Sequence, residues 1–258
     1  MREAMIILKT DSDIEDMKKA GKLAWDLLEE VSKHIAPGIT TEDINTIVHD
    51  MTIRHGAIPA PLNYKGFPKS VCTSVNEVVC HGIPSKAKTL REGDIINVDV
   101  TPIVDGYHGD SSRTFFVGTP SPAIKKLVDT TRKSLQLGIE AVHSKARVGD
   151  IGAAIQSYAE SQGFSIVREF VGHGIGKTFH EEPQIPHYGR SGRGARLQPG
   201  MVFTIEPMLN AGKHHCEILD DDWTAVTRDD SWSAQFEHTI AIKQNGEVVI
   251  LTDPTTWS

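Results

Sequence analysis

The chain repeats itself, and that repetition limits the folds open to it. Ser12-Asp13-Ile14-Glu15 has the form of a capping box. Apolar residues Ile14, Met17, Ala24, Leu27, Leu28, Val31 and Ile35 follow at helical spacing, up to a stop at Pro37-Gly38. Thr41 opens a second helix through Ile44, Ile47, Val48 and Met51, ending at Gly56. The design then recurs. Ser121-Pro122 places a cap and a first-turn proline ahead of Ile124, Leu127, Val128, Thr131 and Leu135. Gly149-Asp150 opens a fourth helix through Ile151, Ala154, Ile155 and Tyr158, ending at Gly163. Ser12 to Ser121 and Thr41 to Asp150 are each 109 positions apart, and Gly56 to Gly163 is 107.

The strand segments keep step. Leu90 to Asp99 matches Leu197 to Glu206, again 107 apart, and each half carries a His-Gly: Cys80-His81-Gly82-Ile83 and Gly172-His173-Gly174-Ile175. Two pseudo-equivalent halves, about 12–117 and 121–251 within a single domain of 1–258, would set His81 opposite His173 and Asp99 opposite Glu206 across a shared centre.

Asp105-Gly106 is a two-residue hairpin signal between a buried strand, Ile95 to Val100, and its partner, Tyr107 to Val117. If Val104 pairs with Tyr107, Asp99 faces Ser112, and Asp110 lies diagonally beside Asp99 on the same face. Diagonal neighbours stand ~7–8 Å apart, a gap two carboxylates close around metals ~3.5–4 Å apart. Glu206 ends the apolar run Met201 to Ile205, and Glu237 sits in Gln-Phe-Glu-His-Thr-Ile. A carboxylate in a hydrophobic strand is costly unless paired or metal-bound. Asp99, Asp110, His173, Glu206 and Glu237 are therefore candidate ligands. Several carboxylates in one pocket require cations of total charge about +4, and oxygen donors with one nitrogen suit Mn, Fe, Co or Zn.

Composition closes other routes. The net charge is −7 and Lys and Arg are dispersed, which argues against DNA or RNA as the main partner. No apolar run reaches the ~18 residues of a membrane span. Three cysteines without a C-x-x-C pair fit a reducing compartment, the cytoplasm by default. Gly176-Lys177-Thr178 imitates a phosphate loop, but Val171 stands where that motif needs glycine. His34, His49, His55, His143, His187, His214 and His215 lack ligand context and read as surface or structural; Met1 to Leu8 fit either a short strand or a loose arm.

With these residues in place the chain resembles the type I methionine aminopeptidases of the α+β pita-bread fold. The densest likenesses are Lys69 to Pro84, Gly172-His-Gly-Ile-Gly, Phe179-His-Glu-Glu-Pro-Gln, Phe203-Thr-Ile-Glu-Pro-Met and Gln235-Phe-Glu-His-Thr. The resemblance implies a curved antiparallel sheet with helices outside and a pair of divalent ions (Co, Mn, Fe or Zn). Asp99 would hold one ion through both oxygens, His173 and Glu206 would complete the other, and Asp110 and Glu237 would bridge them. Activated water would attack the carbonyl after the initiator methionine of a nascent chain, with Glu206 as proton shuttle. His180 would polarise the scissile region, and His81 would steady the intermediate or donate to the leaving amine. Tyr64, Phe67, Cys72, Phe179 and Trp223 match the methionine pocket. Pro61 and Phe67 depart from bacterial relatives that carry Cys and Tyr there.

The family accepts small second residues, and the expected state is a monomer, with the ribosome exit region a candidate partner. The nearest rival on the same fold is a proline-directed aminopeptidase or prolidase. Those carry a separate N-terminal domain, whereas about eleven residues precede the first helix here. A non-catalytic binding protein on this fold would tend to lose ligands that are all present.

Overall fold

The computed structural model describes residues 5–257. Four helices form where the apolar periodicity demands them: α1 (Asp11–Ser32), α2 (Thr41–Arg54), α3 (Pro122–Glu140) and α4 (Val148–Ser161). Their starts correct the sequence reading. The first capping box is Thr10 with Asp13 rather than Ser12 with Glu15, and the second is Thr40 with Asp43, one residue before Thr41. In each, the threonine hydroxyl accepts the Asp N–H at 3.1 Å while the Asp carboxylate accepts the threonine N–H. Aspartate at the third helical position thus does what glutamate does in the usual box. Ser121 caps α3 as expected, accepting the Ile124 N–H. Helix α1 ends at Ser32, ahead of Pro37-Gly38. Met1 to Ala4 lie outside the described residues, and residues 5–10 form no strand.

The Asp105-Gly106 turn sets the register foreseen for it. Both residues have positive φ, 51° and 82°, which matches the twist of a tight hairpin. Val104 pairs with Tyr107, and the same register carries on to Asp99 opposite Ser112. The strand Ile95–Val100 runs between Cys72–Val75 and Ser111–Phe116. In the second half Val202–Ile205 runs between Gly172–Gly174 and His238–Ile242, with Glu181–Ile185 and Val248–Ile250 outside. The halves join at a seam where Glu237 N–H donates to Ser112 O at 3.0 Å and Thr239 Oγ1 donates to Asp110 O at 2.8 Å.

Alternation along the strands divides core from site. Ile96, Val98 and Val100 pack with Leu23, Ala24, Leu27 and Leu28 of α1 and with Ile44 and Val48 of α2. Asn97 and Asp99 therefore face the other way. In the second half Phe203 and Ile205 pack on Leu127, Leu135, Ile151 and Ile155 of α3 and α4, which turns Thr204 and Glu206 toward the same interior. Gly109 lets α1 pass close behind this layer, because a Cβ there would meet the Ala20 carbonyl carbon at 2.3 Å.

The two His-Gly motifs are not counterparts. Asn97 pairs with Ser74 and its equivalent Thr204 falls opposite His173, so His173 holds the place of Ser74. His81 instead follows the next strand, Val78–Cys80. Likeness of sequence aligned two histidines that the strand pairing separates.

Candidate active site

One cavity of about 530 Å³ gathers the predicted residues. Asp99, Asp110, His173, Glu206 and Glu237 line it with His81 and His180, and so do Tyr64, Phe67, Cys72, Phe179 and Trp223, as well as Pro61.

The polar end is a cluster of carboxylates with an imidazole. Asp110, His173 and Glu237 each offer an atom within 4.8 Å of the others. His173 Nε2 stands 3.6 Å from Asp110 Oδ2 and 3.7 Å from Glu206 Oε1. Its Nδ1 lies 2.9 Å from Gly174 O. A proton on Nδ1 satisfies that carbonyl and leaves the Nε2 lone pair facing the carboxylates. Both flanking glycines are required: a Cβ at Gly172 would meet Thr204 O at 2.4 Å, and one at Gly174 would meet Glu182 O at 2.2 Å.

The carboxylates are held from behind. Asp110 Oδ1 accepts from Thr101 Oγ1 at 2.8 Å, and Glu206 Oε1 accepts from Thr204 Oγ1 at 2.7 Å. Burial raises the pKa of Asp110 to about 7, against the Thr101 hydrogen bond. Burial, then the Asp110 charge, pushes Asp99, Glu206 and Glu237 well above the usual carboxylate range. Burial holds His173 down at about 4 and His180 at about 3. Without cations the cluster therefore favours protonated acids beside neutral imidazoles.

The apolar end is aromatic. Phe67 meets Trp223 edge-on at 5.1 Å, and Tyr64 lies 4.9 Å from Phe179. Tyr64 Oη sits 2.8 Å from His180 Nδ1, which orients that ring. His81 adopts a positive φ of 56° and sets its ring edge-on to Phe170 at 5.4 Å.

Sequence reasoning missed several supports. Phe170, Cys80, Met208 and Gln235 also line the cavity. His187, expected at the surface or in a structural role, is fully buried, and its Nε2 accepts the Glu206 N–H at 3.0 Å. No periodicity marks a lone histidine as the support of a residue 19 positions away.

The profile of metallopeptidase family M24 matches residues 15–244. Methionine aminopeptidase A of Synechocystis sp. is 62% identical over 247 residues, covering 96% of this chain and 97% of that protein. The crystal structure of methionine aminopeptidase from Rickettsia prowazekii has a TM-score of 0.94 at 50% identity and covers 96% of this chain and 100% of that one. Prolidase from Pyrococcus furiosus, at 21% identity and a TM-score of 0.74, shares the fold.

Proposed function

The chain belongs to metallopeptidase family M24, and from that membership we propose how its cavity removes an N-terminal methionine. The observation that carries the reading is the convergence of four carboxylates and one imidazole beside aromatic side chains in a single cavity. A prolidase-like specificity has only the shared fold in its favour.

The donor set fits two divalent ions. Four carboxylates facing one another at neutral pH need about that much compensating charge, and the free Nε2 lone pair of His173 adds a borderline donor. Asp99, Asp110, His173, Glu206 and Glu237 would hold them, with Mn, Fe, Co or Zn all compatible. Bound there, such ions supply Lewis-acid polarisation and a water of lowered pKa.

The chain's own groups do the rest. The Phe67–Trp223 pair, Tyr64, Phe179 and Cys72 receive the methionine side chain, where sulfur–aromatic contacts favour a thioether. The buried carboxylate end, with Asp110 and Glu237, receives the free α-amino group, which makes the enzyme an exopeptidase. Glu206 accepts the proton of the attacking water. His180, with Nδ1 held at the Tyr64 hydroxyl, turns Nε2–H toward the carbonyl oxygen. His81, neutral because burial lowers its pKa, steadies the intermediate through its N–H or relays to the leaving amine the proton that Glu206 took from the water, ending neutral again. A small second residue is expected, as the resemblance to the methionine aminopeptidases implies. We assign the protein to the cytoplasm, a reading supported by three free, buried cysteines, and expect a monomer.

The test is metal-reconstituted cleavage of Met-Gly, Met-Leu and Ala-Pro peptides after chelation. Metal-dependent loss of methionine from Met-Gly alone is expected. Cleavage of Ala-Pro instead would overturn the assignment in favour of the proline-directed branch.

A further inference from the structure

A second set of ligand-type side chains lies at the cavity rim. Among the described residues, Glu169, His214 and His215 form the other group whose potential donor atoms all fall within 4.8 Å of one another. Glu169 also lines the cavity, whereas the two histidines do not.

The local backbone brings the two imidazoles together. Adjacent residues on an extended strand point to opposite faces, yet the ring centroids of His214 and His215 are 3.9 Å apart. The bend is fixed on both sides. Asn210 Nδ2 donates to Lys213 O at 2.9 Å, the Lys213 N–H donates to Asp229 Oδ2 at 2.7 Å, and the Arg228 N–H donates to His215 O at 3.1 Å. Glu169 is fixed too, since Oε1 accepts the Cys216 N–H at 3.3 Å and Oε2 the Arg168 N–H at 3.1 Å. His215 Nδ1 stands 3.9 Å from Glu169 Oε1. His214 Nδ1 is shut away from solvent with no hydrogen-bond partner, an arrangement that costs free energy unless something completes it.

We propose that Glu169, His214 and His215 bind one divalent transition-metal ion at the mouth of the cavity, separate from the ions proposed for its interior. Two imidazoles and a carboxylate select Zn, Ni, Cu or Co over Mg or Ca. Three protein donors leave a coordination position for water. Tetrahedral donors around Zn²⁺ stand roughly 3.4 Å apart at bond lengths of ~2.1 Å. Rotation of the exposed His215 side chain, 3.9 Å from the fixed Glu169 carboxylate, closes the remaining distance.

The probe is Zn²⁺ itself, counted by equilibrium dialysis and atomic emission on the whole protein. Wild type should hold one more Zn²⁺ per chain than His215→Ala or His214→Ala, and His215→Ala should keep its Mn²⁺-supported methionine release. Because His215 is exposed, that variant tests the site even if His214→Ala folds poorly. Equal zinc content in wild type and His215→Ala would overturn the proposal. A missing zinc with activity intact supports it independently of how the interior site works.

Discussion

Lys9 and Glu181, 172 positions apart, form an ion pair in which both side chains are only 5% exposed. Lys9 Nζ also donates to Ile7 O at 3.0 Å. Glu181 follows His180 directly and lines the cavity, so the segment before α1 is tied to the wall of the site. Removing one partner of a buried pair strands the other charge. Lys9→Met should therefore cost about 3 kcal/mol of stability, read by denaturant unfolding, with much of the loss recovered in Lys9→Met/Glu181→Gln. A cost under about 1 kcal/mol would show the pair to be energetically idle.

Asp110→Asn and Glu237→Gln keep shape and lose charge. Outer supports of metal ligands are worth ~10–100-fold, and replacing a ligand should exceed that. Turnover should fall at least about 100-fold, with near-native circular dichroism. Near wild-type activity in either variant would sink the two-ion assignment.

His81 stands apart from the carboxylates, beside Phe170 and Trp223. His81→Ala should lower kcat by roughly 10²-fold or more while metal content stays at the wild-type level. A variant that lost its metal would instead place His81 among the ligands.

The metal-stripped protein should show an inverted pH dependence. Asp110, Asp99, Glu206 and Glu237 have folded-state pKa values raised above the unfolded ones. Their contribution is complete below the unfolded pKa and is lost as pH rises through the folded value. His173, His180, His187 and His238 are depressed from 6.5, so they contribute stability above 6.5 and lose it on acidification. Above 6.5 the histidine contribution levels off and the carboxylates dominate the change up to about pH 8. Tm of the chelated protein should fall between pH 6.5 and about 8, and saturating Mn²⁺ should flatten that slope with release of protons. A Tm that rises over this interval would contradict the buried acid cluster.

Much of this site was legible because its geometry follows local rules. A two-residue turn with two positive φ values permits one pairing, so Asp105-Gly106 was enough to put Asp99 opposite Ser112 and Asp110 diagonally beside it. Alternation then sent Val98 and Val100 to the helices and Asp99 to the interior. Long-range packing left no such trace. Nothing in the spacing joins Lys9 to Glu181 or sets His187 beneath Glu206, and the matching His-Gly motifs suggested an equivalence that strand pairing does not keep. The helix starts slipped by a residue or two because several Ser, Thr and Asp residues compete to cap at each N-terminus.

The seam where Glu237 meets Ser112 has a consequence for biosynthesis. The donors proposed for the ions run from position 99 to position 237. A polypeptide still being made therefore carries no competent centre until nearly all of it has emerged and the last strands have docked. Activity arrives all at once, when the last strands close on the first.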